Sequence, residues 1–147
     1  MYDSEAKFVA ALKKRLNNVG WDVQRLESSM TGVGIPDMFV QGHGTDCFIE
    51  AKNIKSKMPT VKFTVPWRPG QVAWALGYER AHHFTKRCWT VCAFNDGVLW
   101  LMVTRKYYDE NRIRMDNPFL FKFTWDEFRA LDLTDFLVTN NEKRLII

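Results

Sequence analysis

Apolar residues recur every three to four positions early in the chain, and every second position soon after. Phe8, Leu12 and Leu16, with Val9 beside them, share one face and predict a helix over Asp3–Leu16, with Asp3 or Ser4 able to cap its start and Gly20 past its end. Trp21–Leu26 alternates and predicts a strand. Gly32–Pro36 reads as a tight connection, Asp37–Gln41 as a short strand, Gly42–Thr45 as a hairpin turn and Asp46–Asn53 as the next strand. Ile54–Trp67 predicts a long loop or ribbon. Pro69 suits the first position of a helix running to about His83, because its missing N–H costs nothing there. Cys88–Phe94 and Val98–Thr104 predict two strands around Asn95-Asp96-Gly97. Phe119–Phe123 reads as a further strand. Thr124 and Glu127 form a capping box, flanked by Phe123 and Phe128 at the staple positions, for a helical region from Asp126 to about Leu137. The order α-β-β-β-α-β-β, then a small β-α appendix, predicts an α/β (α+β) fold with a mixed central sheet flanked by helices.

Composition narrows this to one ordinary domain. A length of 147 residues, 46% hydrophobic and 26% charged, excludes disorder, collagen and a coiled coil. The expected domain is 1–147, with a core of about 3–104 and an appendix of about 115–147. No apolar run approaches the roughly 20 residues of a membrane helix, so no membrane partner is expected. The polar start lacks a signal-peptide pattern, and three cysteines argue against a disulfide framework. The expectation is a cytoplasmic, non-secreted protein.

Net charge is +4, too small an excess to name a partner, but its distribution says more. Residues 1–114 carry 17 basic and 11 acidic residues, while 115–147 carry 4 and 6. From Ala51 to Tyr78 there are five cations (Lys52, Lys55, Lys57, Lys62 and Arg68) and no acid, a stretch suited to phosphate.

That stretch begins beside the chemically informative residues. Asp37 opens one strand of the expected hairpin, and Glu50-Ala51-Lys52 lies on the next. Glu50 and Lys52, two apart, project from one face, while Cys47, Ile49 and Ala51 point into the core. The turn at Gly42–Thr45 brings Asp37 toward Glu50. Neighbouring carboxylates raise each other's pKa unless a cation joins them. Mg²⁺ suits such a pair, since it takes one or two carboxylates and keeps several waters. Lys52 then supplies a point charge that positions a water or neutralises charge developing on a phosphate.

Ile35-Pro36-Asp37, then Glu50-Ala51-Lys52, resembles the core motif of the PD-(D/E)XK nuclease superfamily, and the element order around it is similar to that family's core. The resemblance covers about Asp3–Leu101. Gly34-Ile35-Pro36-Asp37 and Arg68-Pro69-Gly70-Gln71 look more narrowly like the VRR-NUC and Holliday-junction-resolvase-like branches. It implies Mg²⁺-dependent hydrolysis of DNA phosphodiesters, with Mn²⁺ able to substitute and no nucleotide cofactor. Asp37, Glu50 and the Ala51 carbonyl would hold the metal, Gln71 would face it, and Glu5 of the first helix would complete it.

Lys55, Lys57, Lys62 and Arg68 flank this site as phosphate contacts or, taken singly, as solvated side chains. Trp67 and Trp74 could stack on a base, with a core role favoured for Trp74. Ser28 and Ser29 suit a turn better than a phosphate contact. His82, His83, Cys88 and Cys92 match no usual zinc spacing, and buried thiols account for the cysteines better. No module for reading base edges stands out. The expected function is therefore a structure-specific DNA endonuclease acting on branched or junction DNA, in phage-type or repair and recombination processing. Junction resolution would require a homodimer. Two alternatives stay open: an exonuclease or restriction-type endonuclease of the same fold, and a non-catalytic DNA-binding or inhibitor protein.

Overall fold

A computed structural model describes residues 2–26, 34–83, 85–102 and 112–143. The first periodic segment is helix α1 (Glu5–Asn18), with Phe8, Val9, Leu12 and Leu16 buried. Ser4 is its cap, accepting from the Lys7 N–H at 3.2 Å, while Asp3 pairs with Lys7 Nζ instead. Strands β1 (Asp22–Arg25), β2 (Met38–Gly42) and β3 (Thr45–Asn53) form an antiparallel meander, with a two-residue His43-Gly44 loop joining the last two.

The basic stretch then forms the short strand β4 (Lys62–Thr64) before helix α2 (Gln71–Ala81). Strand β5 (Arg87–Ala93) returns parallel to β3, making a β-α-β crossover, and β6 (Gly97–Met102) runs back antiparallel to β5. Strand β7 (Arg112–Arg114) pairs with β4 as a separate ribbon. Strand β8 (Leu120–Thr124) then adds an edge beside β6, giving a six-stranded sheet of order β1-β2-β3-β5-β6-β8. Helices α3 (Trp125–Ala130) and α4 (Leu133–Asn141) follow.

The two faces of the sheet are covered differently. Cys47, Ile49 and Ala51 of β3, Trp89 and Val91 of β5 and Trp100 of β6 form the main core with α1, α3 and α4. On the opposite face Val72, Ala75 and Leu76 of α2 cover Phe48 and Cys88, and Phe63 and Ile113 of the ribbon cover Cys92, Leu99 and Leu101. Every residue of β5 and β6 is buried, as strands covered on both faces must be.

Three expectations change. Pro69 lies outside α2, which begins at Gln71 after Gly70 in a left-handed conformation (φ 88°). The single C-terminal helix is two, broken at Leu131 in extended backbone, and Asp132 caps the second by accepting from the Asp135 N–H. The expected β-α appendix is the edge of the same sheet: Phe128, Leu133, Phe136 and Leu137 belong to the main core. The Thr124–Glu127 capping box forms as expected. Ser28, Ser29, Gly32, Val33, Val103 and Thr104 lie outside the described residues.

One buried acid makes stability depend on pH. Glu79, on α2 and 1% exposed, accepts from the Cys88 N–H at 3.1 Å. Burial pushes its carboxyl up to about 8, against that hydrogen bond and the Arg87 charge. The unfolded chain loses this proton near 4.5, so between 4.5 and 8 the native state holds more protons than the unfolded one and stability falls as pH rises. One such group contributes at most about 1.4 kcal/mol per pH unit. Thermal melts should show this decline, and Glu79→Gln should flatten it; an unchanged profile in the variant would assign the slope elsewhere.

Candidate active site

The register of the meander assembles the site. Met38 pairs with Ile49, so Asp37, one residue ahead of β2, comes level with Glu50. Asp37 Oδ2 accepts from the Ala51 N–H at 2.8 Å, and the Asp37 carbonyl accepts from the Leu26 N–H at 2.9 Å. Alternation along β3 sends Phe48, Glu50 and Lys52 toward α2 while Ala51 enters the core.

The first residue of α2 closes this face. Gln71 Nε2 donates to Glu50 Oε2 at 2.9 Å, and its Oε1 accepts from Lys52 Nζ at 3.0 Å and from the Arg68 N–H at 2.8 Å. Lys52 Nζ also lies 3.2 Å from Glu50 Oε2. Glu50 and Lys52 are each 5% exposed and Gln71 7%. The carboxamide thus orients an acid and a base with its two ends.

Gly34 makes this approach possible. At φ 73° it packs against the turn before α2, where a Cβ would stand 2.3 Å from both Gly70 C and O and 2.6 Å from Gln71 N. No side chain fits, so the segment leading to Asp37 touches the segment leading to Gln71 backbone to backbone.

Electrostatics link the same residues to α1. Burial pushes the Glu50 carboxyl up to about 7, the Asp37 charge adds to this, and Lys52 opposes it. Glu5, half-buried at the start of α1, is raised by burial, and Asp37 raises it further while Lys52 and Arg68 pull it down. Glu5 therefore lies within electrostatic reach of the expected centre. Among the described residues no three His, Cys, Asp or Glu side chains are grouped as a preformed metal cluster.

The remaining donor set suits a hard cation. Glu50 Oε1 is buried and has no hydrogen-bond partner among the described residues, a costly state for a carboxylate oxygen. With the Asp37 carboxylate it forms an all-oxygen pair of the kind Mg²⁺ accepts, completing its shell with water. A cavity of about 10 Å³ lies alongside, lined in part by Glu50, Gln71, Trp67 and Thr90, which is about the space of one water.

The sequence-predicted contacts separate. Arg68 adjoins the site through its N–H, and its charge acts on Glu5, while Lys55 acts on Asp3 at the foot of α1. Lys57 and Lys62 are exposed, the latter on the ribbon. Trp67 donates to Thr90 Oγ1 at 2.9 Å and is half-buried, and Trp74 packs on Phe48 and stacks with Tyr78. Cys88 and Cys92 are buried free thiols. Thr90, opposite Glu50 in the β3–β5 ladder, was missed, because its position depends on a parallel pairing the local pattern does not encode. The Gly34–Gly70 contact was missed too; the glycines themselves are the signal that could have found it.

A mixed sheet with a meander, a crossover helix and acids on adjoining strands defines a restriction-endonuclease-like fold. Among solved structures the chain is similar to Hjc from Archaeoglobus fulgidus, a Holliday junction resolvase from an archaeal hyperthermophile. The TM-score is 0.53 at 13% identity, covering 89% of this chain and 98% of that one, a likeness of fold. No protein-family model and no curated protein matches the sequence.

Proposed function

We propose that this protein is a Mg²⁺-dependent DNA endonuclease of the PD-(D/E)XK type, acting on branched or junction DNA. The observation that carries the reading is the Glu50–Gln71–Lys52 ring beside Asp37, with one buried Glu50 oxygen lacking a partner. Asp37 and Glu50, with the Ala51 carbonyl, would hold Mg²⁺ or Mn²⁺. Bound there, the ion would polarise a phosphate oxygen and lower the pKa of an attacking water. Lys52, held in place by Gln71 and Glu50, would orient that water or offset charge growing on the phosphate. Lys55, Lys57, Lys62 and Arg68, all exposed, would hold the DNA backbone. Glu5 would act as a nearby charge or through a bridging water.

The resolvase named above supports branched DNA as the substrate, because its fold is shared over nearly the whole of both chains. Cutting a junction on two strands would take two copies of this chain. The setting would be phage-type or repair and recombination DNA processing in a cytoplasmic compartment, where thiols stay reduced.

The test is incubation with four-way junctions, flaps, linear duplex and closed circular DNA, with Mg²⁺, Mn²⁺ or EDTA. Metal-dependent cleavage of junctions or flaps at internal positions is the expected result. Release of nucleotides from free ends alone would make it an exonuclease, and inactivity on every substrate with both metals would leave a binding protein. Saturating Mg²⁺ at about 100 times its Kd should also stabilise the fold by about 2.7 kcal/mol in thermal melts, and Asp37→Asn should remove that gain.

A further inference from the structure

A second basic surface lies outside the site. An open groove of about 340 Å³ lies between the C-terminal half of α1 and the end of β1, lined by Ala10, Lys13, Lys14, Asn17, Asn18 and Arg25. Among the described residues no acid lines it. Its three cations take no part in the ion pairs among the described residues. The two asparagines add carboxamide N–H donors, which suit phosphate oxygens as well as the cations do.

The groove lies on the α1 side of the sheet, beside its β1 edge, whereas Glu50 and Lys52 face α2. Arg25 pairs with Met38, the residue after Asp37, and Met38 pairs with Ile49, the residue before Glu50. Two strand spacings, about 10 Å, therefore separate the backbone of Arg25 from that of Ile49 across the sheet. A strand held in the groove would therefore reach the site around the β1 edge of the sheet, with a phosphate every ~3.4 Å along the DNA axis to meet the cations on the way. Lys13, Asn17 and the rest of the groove continue away from the site along α1.

We propose that this groove is a phosphodiester-binding site that holds the DNA backbone to one side of the cleavage centre. The inference rests on the nuclease reading for where the DNA enters, but its test does not depend on cleavage. Anisotropy titrations of a labelled four-way junction, a linear duplex and an RNA hairpin, in EDTA and over a range of NaCl, would compare the wild type with Lys13→Ala/Lys14→Ala/Arg25→Ala. The expected result is weaker binding, at least ~10-fold near 0.1 M salt, and a log Kd against log salt slope shallower by about 2 to 3. Lys13→Arg/Lys14→Arg/Arg25→Lys should restore both. Lys14→Glu alone, at an exposed helix position, should weaken binding without touching packing.

Unchanged affinity and slope in the alanine variant would overturn the groove, as would a loss confined to an RNA hairpin with DNA binding intact. The two readings fail separately. A wild type that binds steeply, never cleaves, and loses its slope in the variant removes the nuclease and keeps the groove. Cleavage of junctions with a slope indifferent to the variant does the reverse.

Discussion

Glu50→Gln is expected to lower the rate of DNA cleavage by about 10³-fold, with junction binding in EDTA retained. The substitution is nearly isosteric and keeps an oxygen for Gln71 Nε2, so the ring geometry survives. It removes the charge that the buried, partnerless Oε1 would offer a metal. Lys52→Met should reduce cleavage comparably, by removing the ammonium that Gln71 and Glu50 hold in place. Stability separates the roles within the pair. Each single variant leaves its buried partner without its opposite charge, at a cost of roughly 3 kcal/mol. The double variant Glu50→Gln/Lys52→Met removes both charges and should recover most of that stability while recovering no cleavage. Single-turnover rates and denaturant melts on the same preparations would check this. Full cleavage by either single variant would remove the mechanism.

Gly34→Ala is expected to damage the site from outside it. A Cβ at 34 would lie 2.3 Å from the Gly70 carbonyl group and 2.6 Å from Gln71 N, and the obstruction is backbone that cannot rotate away. The positive φ adds strain for any L side chain. Relief requires the start of α2 to move, which pulls Gln71 off Glu50 and Lys52. Misplacement on the order of 1 Å costs about 10²-fold in rate. Strained substitutions of this kind destabilise by about 1–3 kcal/mol. Gly44→Ala is the matched control: it also has positive φ, but a Cβ there meets nothing within 4 Å. The expected pattern is a stability loss in both, larger at Gly34 because of the added clash, and a rate loss only at Gly34. Equal rates in the two variants would show that the Gly34–Gly70 contact does not position Gln71.

Much of this arrangement was legible along the chain because it is local. Phe8, Leu12 and Leu16 share a helical face for geometric reasons that need no partner, and Glu50 and Lys52 share a strand face for the same kind of reason. The short turn at His43-Gly44 sets the β2–β3 register, and with it the approach of Asp37 to Ala51 and Glu50. Gln71 could be assigned to the site only through the resemblance, and its hydrogen bonds to both charged residues depend on where the crossover lands α2.

The limits of that legibility are also physical. Pro69 carries a good helix-start signal, yet Gly70 adopts a left-handed conformation (φ 88°) and the helix begins at Gln71. The segment after 115 reads as a small β-α appendix of the single domain because its local pattern is a complete β-α unit, and nothing in it says that β8 will find the free edge of β6. Thr90 and Arg25 are informative only through the strands beside them. The amino-acid sequence alone thus determined the helical and strand faces, the acid-free basic stretch and the Asp37, Glu50 and Lys52 chemistry, since each follows from short-range periodicity and charge. Only the tertiary structure decided the partnerless oxygen of Glu50, the clamp of Gln71 and the groove beside Arg25. Those depend on burial and on contacts between residues far apart in the chain, set by how the whole sheet is ordered and covered.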